Sequence, residues 1–265
     1  MATAFDRRRI PAPEVSVPPI YEDSPEAGPS TRTRRVDRAI DEARPIFLKT
    51  GLISQANGSG YIESGGVKIA CSVYGPRPKA PPYTPQGTLN LEVKFAPFAS
   101  DPRRAPLRDT EPISLSQLLT QSLLPTIQLH LLPKSSIDIY LLVLESDTPT
   151  NVLSAGLTVA SAAIADAGIA MYALGTGSVI AHSSAEGLLL DPEEGEEGEA
   201  EGILTLGSMP ALGKVTGLVL EGEVGVDQAV EMIEKAISAS RDTHTVLAQS
   251  LIEGAQERGI GGEAE

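Results

Sequence analysis

Carboxylates are the most concentrated reactive groups in this chain. Residues 186–201 hold eight of them and no Lys or Arg. The run Asp191-Pro-Glu-Glu-Gly-Glu-Glu-Gly-Glu-Ala-Glu201 has the side chains that hold a divalent cation or shuttle a proton. Glycines interrupt it, however, and no His or Cys lies beside it. A flexible, self-repelling acidic loop over 192–201 is the expectation, with no metal site and no cofactor. The three histidines, His130, His182 and His244, lack ligand spacing and have no partner nucleophile. Gly175-Thr-Gly-Ser178 is short and lacks the lysine of a nucleotide-binding loop, so it reads as a turn. Thr148 and Thr150 stand just ahead of a helical stretch and read as caps. Catalytic residues are therefore not expected.

Composition bounds the rest. The chain has 265 residues, 41% of them hydrophobic, enough for a sizeable core. With no Trp, four Phe and six Tyr, that core must be mostly aliphatic. The single cysteine, Cys71, excludes an internal disulfide and reads as a buried thiol in a reducing compartment. No apolar run reaches bilayer length and the amino terminus lacks a secretory signal, so the expectation is an intracellular protein without membrane contact. A net charge of −14 argues against a surface that binds nucleic acid all over. Basic residues nevertheless gather in 32–49 and around Arg103, Arg104 and Arg108.

Several elements can be read along the chain. Residues 44–77 predict three short strands, Ile46–Leu48, Leu52–Ala56 and Val67–Tyr74, with glycines 58, 60, 65 and 66 as turn positions. Ser114 and Gln117 form a capping-box pair opening a helix to about Leu124, which Pro125 should kink or end. The apolar run Ile137–Leu144 predicts a strand central in its sheet. A small-residue helix follows from Thr150 to Ala167, closed by Gly168. Strands near 178–182, 187–191, 202–208 and 215–220 precede a long helix over 227–253. Its expected core stripe is Val226, Val230, Ile233, Ile237, Val246, Leu247 and Leu251.

The order of these words resembles an RNase PH-type domain. The resemblance rests on Arg44-Pro-Ile, Thr50-Gly, Ala56-x-Gly-Ser-Gly-Tyr-x-Glu-x-Gly65 and Val67-x-Ile-x-Cys-Ser-Val-Tyr-Gly-Pro-Arg77. It continues through Leu89–Ala99, Ser136–Leu144, Ala163–Met171 and Leu188-Leu-Leu-Asp-Pro192, and so spans about 44–255. It implies an α+β fold, the ribosomal protein S5 domain 2-like type, with mixed sheets packed by helices in two pseudo-repeated halves. The expected organisation is a disordered Pro/Arg/Glu-rich tail over 1–43 and a domain over 44–255. The domain has halves of about 44–171 and 172–255, and a flexible tail follows over 256–265.

The same resemblance implies phosphorolytic exoribonucleases and the six-membered ring of the RNA exosome. Active relatives bind phosphate with a Gly-Gly-Thr-Arg-like turn leading into the small-residue helix. Here that stretch is Glu145-Ser-Asp-Thr-Pro-Thr-Asn-Val-Leu-Ser154, and no Lys or Arg occurs from Glu145 to Met171. The expected carboxylate pair is replaced by the acidic run, and helix 114–124 presents Gln117, Thr120 and Gln121 where basic residues would help. What remains is a candidate RNA-contact set: Lys94 on its strand, and Arg103, Arg104 and Arg108 on the loop after it, which in the family faces the ring channel. The expectation is an inert ring subunit of the eukaryotic exosome that threads single-stranded RNA. Its expected partners are the other RNase PH-like subunits, an S1/KH cap subunit and an associated nuclease, in nucleus, nucleolus and cytoplasm. The rivals are a working phosphorolytic exoribonuclease whose phosphate arginine arrives from elsewhere, Arg77 or a neighbouring subunit, and a stand-alone RNA-binding module.

Overall fold

The structure is a computed structural model, and it describes residues 38–99, 103, 112–184 and 187–259. Among the described residues, nine strands form two sheets. Strands β1 (Ile46–Thr50), β2 (Gly58–Ser64), β3 (Val67–Pro78), β4 (Thr88–Phe95) and β5 (Ser135–Glu145) make a five-stranded sheet in the order β1-β2-β3-β5-β4. It is antiparallel except where β4 runs parallel to β5. Strands β6 (Thr176–Ser183), β7 (Gly187–Leu190), β8 (Gly202–Met209) and β9 (Lys214–Gly222) make an antiparallel sheet ordered β7-β6-β8-β9.

The helices sort onto these sheets by residue size. Helix α2 (Pro149–Asp166) packs on β2 and β3 with one face and on β6 with another. Such close approach needs strands without side chains at the contact. A Cβ on Gly58 would lie 2.3 Å from both Ala163 O and Ala167 N, and one on Gly60 3.0 Å from Val159 Cγ2. The expected strand over Leu52–Ala56 is therefore displaced. Those residues form a turn, with Ala56 N donating to Ile53 O at 3.1 Å, and the glycine-rich stretch is itself the strand. A strand glycine marks helix contact as readily as a turn.

Helix α1 (Ile113–Leu123) packs against β4, α2 and β9. It starts at Pro112 with no side-chain cap, so the expected Ser114/Gln117 capping box does not form, while Ser116 Oγ accepts from Val93 N instead. Pro125 ends the helix as expected, in a 3-10 turn over Leu124–Thr126. On β5, Ile137, Ile139, Leu141 and Val143 are buried, but Tyr140 and Leu142 are exposed on the opposite face. That strand lies between β3 and β4, yet among the described residues its sheet is covered by helix on one face.

Helix α4 (Val226–Glu257) is the longest element. Its first half covers β6 and β8, where Met232 and Ala236 pack with Ile180, Leu204 and Leu206. Ser178 Oγ donates to Ala236 O at 3.1 Å. Its second half reaches the other sheet: Leu247 joins the larger core and Ser250 Oγ donates to Leu48 O at 2.8 Å. The buried residues are Met232, Ala236, Ser240, Leu247, Ser250 and Gly254; of the expected stripe, Leu247 is buried and Ile233 and Ile237 pack against the core, whereas Val226, Val230 and Val246 are exposed. Close contact with hydroxyl-bearing strand residues selects small helix residues over large apolar ones.

Candidate functional site

The chemistry anticipated at the start of α2 depends on what meets there. Thr148 is the N-cap, and its Oγ1 accepts from Asn151 N at 3.3 Å; Pro149 occupies the first turn without an amide to satisfy. Thr148 Oγ1 donates to Glu197 Oε1 at 2.9 Å, and Thr150 Oγ1 donates to the same oxygen. Glu197 comes from α3 (Glu194–Gly198), a single helical turn inside the acidic run. The flexible acidic loop expected over 192–201 is thus partly helical. A capping box of Glu193 and Glu196 closes its start, and Glu194 N donates to Asp147 Oδ1 at 3.3 Å. Burial, with Asp147 close by, raises the pKa of Glu197 above the usual carboxylate value, although both threonine hydroxyls work against that.

Two arginines absorb the repulsion between these acids. Arg38 Nη2 lies 3.4 Å from Glu193 and 3.6 Å from Glu196, and donates to Asp191 O at 2.7 Å. Ile40 O also accepts from Leu190 N at 3.0 Å. Residues 38–43, expected in the tail, therefore belong to the folded body; residues 1–37 and 260–265 lie outside the described residues.

Arg44 is more deeply held, 7% exposed. Its Nε and Nη2 donate to the two oxygens of Asp191 at 2.8 and 2.6 Å, its backbone N to Oδ2 at 2.9 Å, and its Nη1 to Asp147 Oδ2 at 2.9 Å. Burial alone would lower the Arg44 pKa, but the hydrogen bonds and charges of Asp191 and Asp147 carry it above its ordinary value. Burial would likewise raise Asp191, and the Arg44 contacts outweigh it, holding that carboxyl below the usual range. Asp191 adopts a left-handed backbone, φ 51, a conformation that costs a non-glycine residue about 1–2 kcal/mol and that the forked arginine offsets.

A cation does therefore reach the first turn of α2, from a part of the chain outside 145–171. Arg44 was legible only as the word Arg-Pro-Ile ahead of β1; nothing local indicated that the fold would carry it to Asp147. Arg77 does not reach. It pairs with Ser136, nine residues along β5 from Glu145, so about 30 Å of strand separates it from the end of β5 that leads into the start of α2. Its guanidinium lies 4.9 Å over the Tyr74 ring.

The four RNA-contact candidates are only partly described. Lys94 is exposed on β4, 3.4 Å from Glu92 Oε2, and Arg103 is exposed. Arg104 and Arg108 lie outside the described residues. Of the other reactive groups, Cys71 is fully buried on β3, and burial pushes its thiol pKa up. His182 is buried on β6, whereas His130 stacks on Tyr172 at the other edge of the core. Thr176–Ser178 of the Gly-Thr-Gly-Ser stretch begin β6 and form no turn: a Cβ on Gly177 would lie 2.4 Å from Ser154 O. Among the described residues, no helix is long and apolar enough to cross a membrane.

Sequence comparison places this geometry. Residues 42–170 match the family described as 3′ exoribonuclease family, domain 1, the RNase PH domain. Taken with the full-length relatives below, the match shows that the chain belongs to the RNase PH family. Within that family it is 40% identical to the exosome complex component mtr3 of Schizosaccharomyces pombe, over 93% of this chain and 96% of the relative. It is 36% identical to the human exosome complex component MTR3, over 96% and 97% of the two chains. Among solved structures, rice Rrp46 superposes with a TM-score of 0.73 at 18% identity, covering 82% of this chain and 99% of that one. A chain of the Archaeoglobus fulgidus exosome with RNA bound to its active site gives a TM-score of 0.68 at 19% identity, over 79% and 91%. These two likenesses show the fold, which is the α+β RNase PH fold anticipated from the sequence.

Proposed function

We propose that this chain is a non-catalytic ring subunit of the RNA exosome, of the Mtr3 type, helping to form a channel that guides single-stranded RNA toward a nuclease carried by another polypeptide. The likeness to Mtr3-named exosome components along nearly the whole chain supports the assembly. One observation carries the loss of chemistry: Arg44, the guanidinium that reaches the start of α2, is engaged on two sides by Asp191 and Asp147. A phosphate arriving there meets a neutralised cation and the Glu197 carboxylate. In this reading other RNase PH-like subunits flank the chain, and a cap subunit and a nuclease associate with the ring. Lys94, Arg103, Arg104 and Arg108 contact the RNA backbone, in nucleus, nucleolus and cytoplasm.

Incubation of the full chain, alone and reconstituted with ring partners, with RNA and inorganic phosphate tests the proposal. The expected outcome is no nucleoside diphosphate from either. Phosphate-dependent release that is abolished by substituting residues of this chain overturns it.

A further inference from the structure

A sheet edge presents backbone N–H and C=O groups that a second strand can take, and folded proteins cover or blunt such edges. The two sheets have four edge strands among the described residues. Three are engaged by the chain itself. Leu48 O on β1 accepts from Ser250 Oγ of α4, Val93 N on β4 donates to Ser116 Oγ of α1, and Leu190 N on β7 donates to Ile40 O. The fourth, β9, has no such cover among the described residues. It is nine residues long and contains no proline, and its Val215, Leu218 and Leu220 are 45, 46 and 40% exposed.

The pairing of β9 with β8 fixes which of its side chains share a face. Gly207 pairs with Gly217 and Ser208 with Val215, so Thr216 is passed over as a bulge. Val215, Leu218 and Leu220 therefore line up beside Ser208, Leu206 and Leu204 of β8, on the face that α4 covers. Lys214 and Glu221, both exposed, stand on the other face at the two ends of the row. This pattern is its own complement. A second β9 laid antiparallel about a twofold axis at Leu218 sets Lys214 opposite Glu221 twice and Val215 opposite Leu220 twice. Leu218 meets its own copy at the axis. Lysine on an edge ordinarily repels a second strand, but here it meets a carboxylate.

We propose that β9 is a self-pairing edge, through which two copies of this chain join their four-stranded sheets into one continuous antiparallel sheet. The seam adds backbone hydrogen bonds, covers the apolar row and matches the charge at each end. It does not rest on the non-catalytic reading. Sedimentation velocity of the full chain over a range of concentrations tests it, with folding of each variant checked by circular dichroism. The wild type should form a dimer that dissociates on dilution. Leu218→Lys places like charges at the axis, and Lys214→Glu or Glu221→Lys places like charges opposite each other. Each should weaken the dimer on the order of tenfold. Lys214→Glu combined with Glu221→Lys should restore it. Within one chain these two residues lie six pairing positions apart, about 20 Å, so the rescue arises only between copies. A wild type that stays monomeric at every concentration overturns the proposal and leaves the edge to a strand of another protein. A dimer indifferent to Leu218→Lys, or a double exchange no tighter than the single ones, overturns it as well.

Discussion

Arg44 couples the folded body to its acidic run more strongly than any exposed ion pair would. Two part-buried carboxylates share one guanidinium, so removing it takes an ion pair from each, although Arg38 still lies 3.7 Å from Asp191. Arg44→Met should destabilise the chain by about 3–5 kcal/mol, measured by urea unfolding at neutral pH. The pH dependence has a defined sign. Asp191 is depressed in the folded state, so its contribution is complete above its unfolded value of 3.8 and is lost as pH falls through the lower, folded value. Glu197 acts oppositely: its pKa is raised, so its protonation favours the fold and that benefit fades as pH rises from 4.5. The acid limb below 3.8 therefore belongs to Asp191, and Arg44→Met should flatten it. Neither partner announced itself in sequence. Asp191 was one of eight acids within residues 186–201, and Arg44 lay 147 positions away.

The elements owe their spacing to glycines more than to large apolar side chains. Gly177 faces the backbone of α2, where a Cβ would come within 2.4 Å of Ser154 O and 2.5 Å of Ser154 Cα. Backbone atoms cannot rotate away as a flexible side chain can, so Gly177→Ala must push α2 off β6. A loss of about 1–3 kcal/mol is expected in thermal or urea unfolding, with the exposed Gly195→Ala as a neutral comparison. This also explains which parts of the fold were legible. The periodic elements were: β3 alternates, α2 starts at its threonines and stops before Gly168, and the four later strands fall where expected. The misreadings cluster where one residue type has two uses. Glycines 58 and 60 looked like punctuation but admit a helix, and the glutamates of the acidic run looked mutually repulsive until arginines from the chain's beginning reached them. Tertiary pairing at such distances leaves no local pattern to read.

At the scale of the whole molecule, one face of the five-stranded sheet carries Tyr140, Leu142, Glu92 and Lys94, exposed among the described residues. The acidic balance of the chain means that any RNA contact must come from a local group such as Lys94 and Arg103. In a reconstituted ring, alanine at both positions should weaken single-stranded RNA binding. Each lost phosphate contact should reduce the slope of log affinity against log salt by about 0.7. An unchanged slope removes these residues from the path of the RNA.

Helix α4 has a consequence in time as well as in space. Leu247, Ser250 and Gly254 complete the environment of Leu48 and Thr50 in the first strand, and Arg258 ties to Asp166 at the far end of α2. The earliest and latest segments of the body to leave the ribosome thus close a single seam. A nascent chain halted before residue 247 keeps β1 unsealed, so the body closes only after its last helix has emerged.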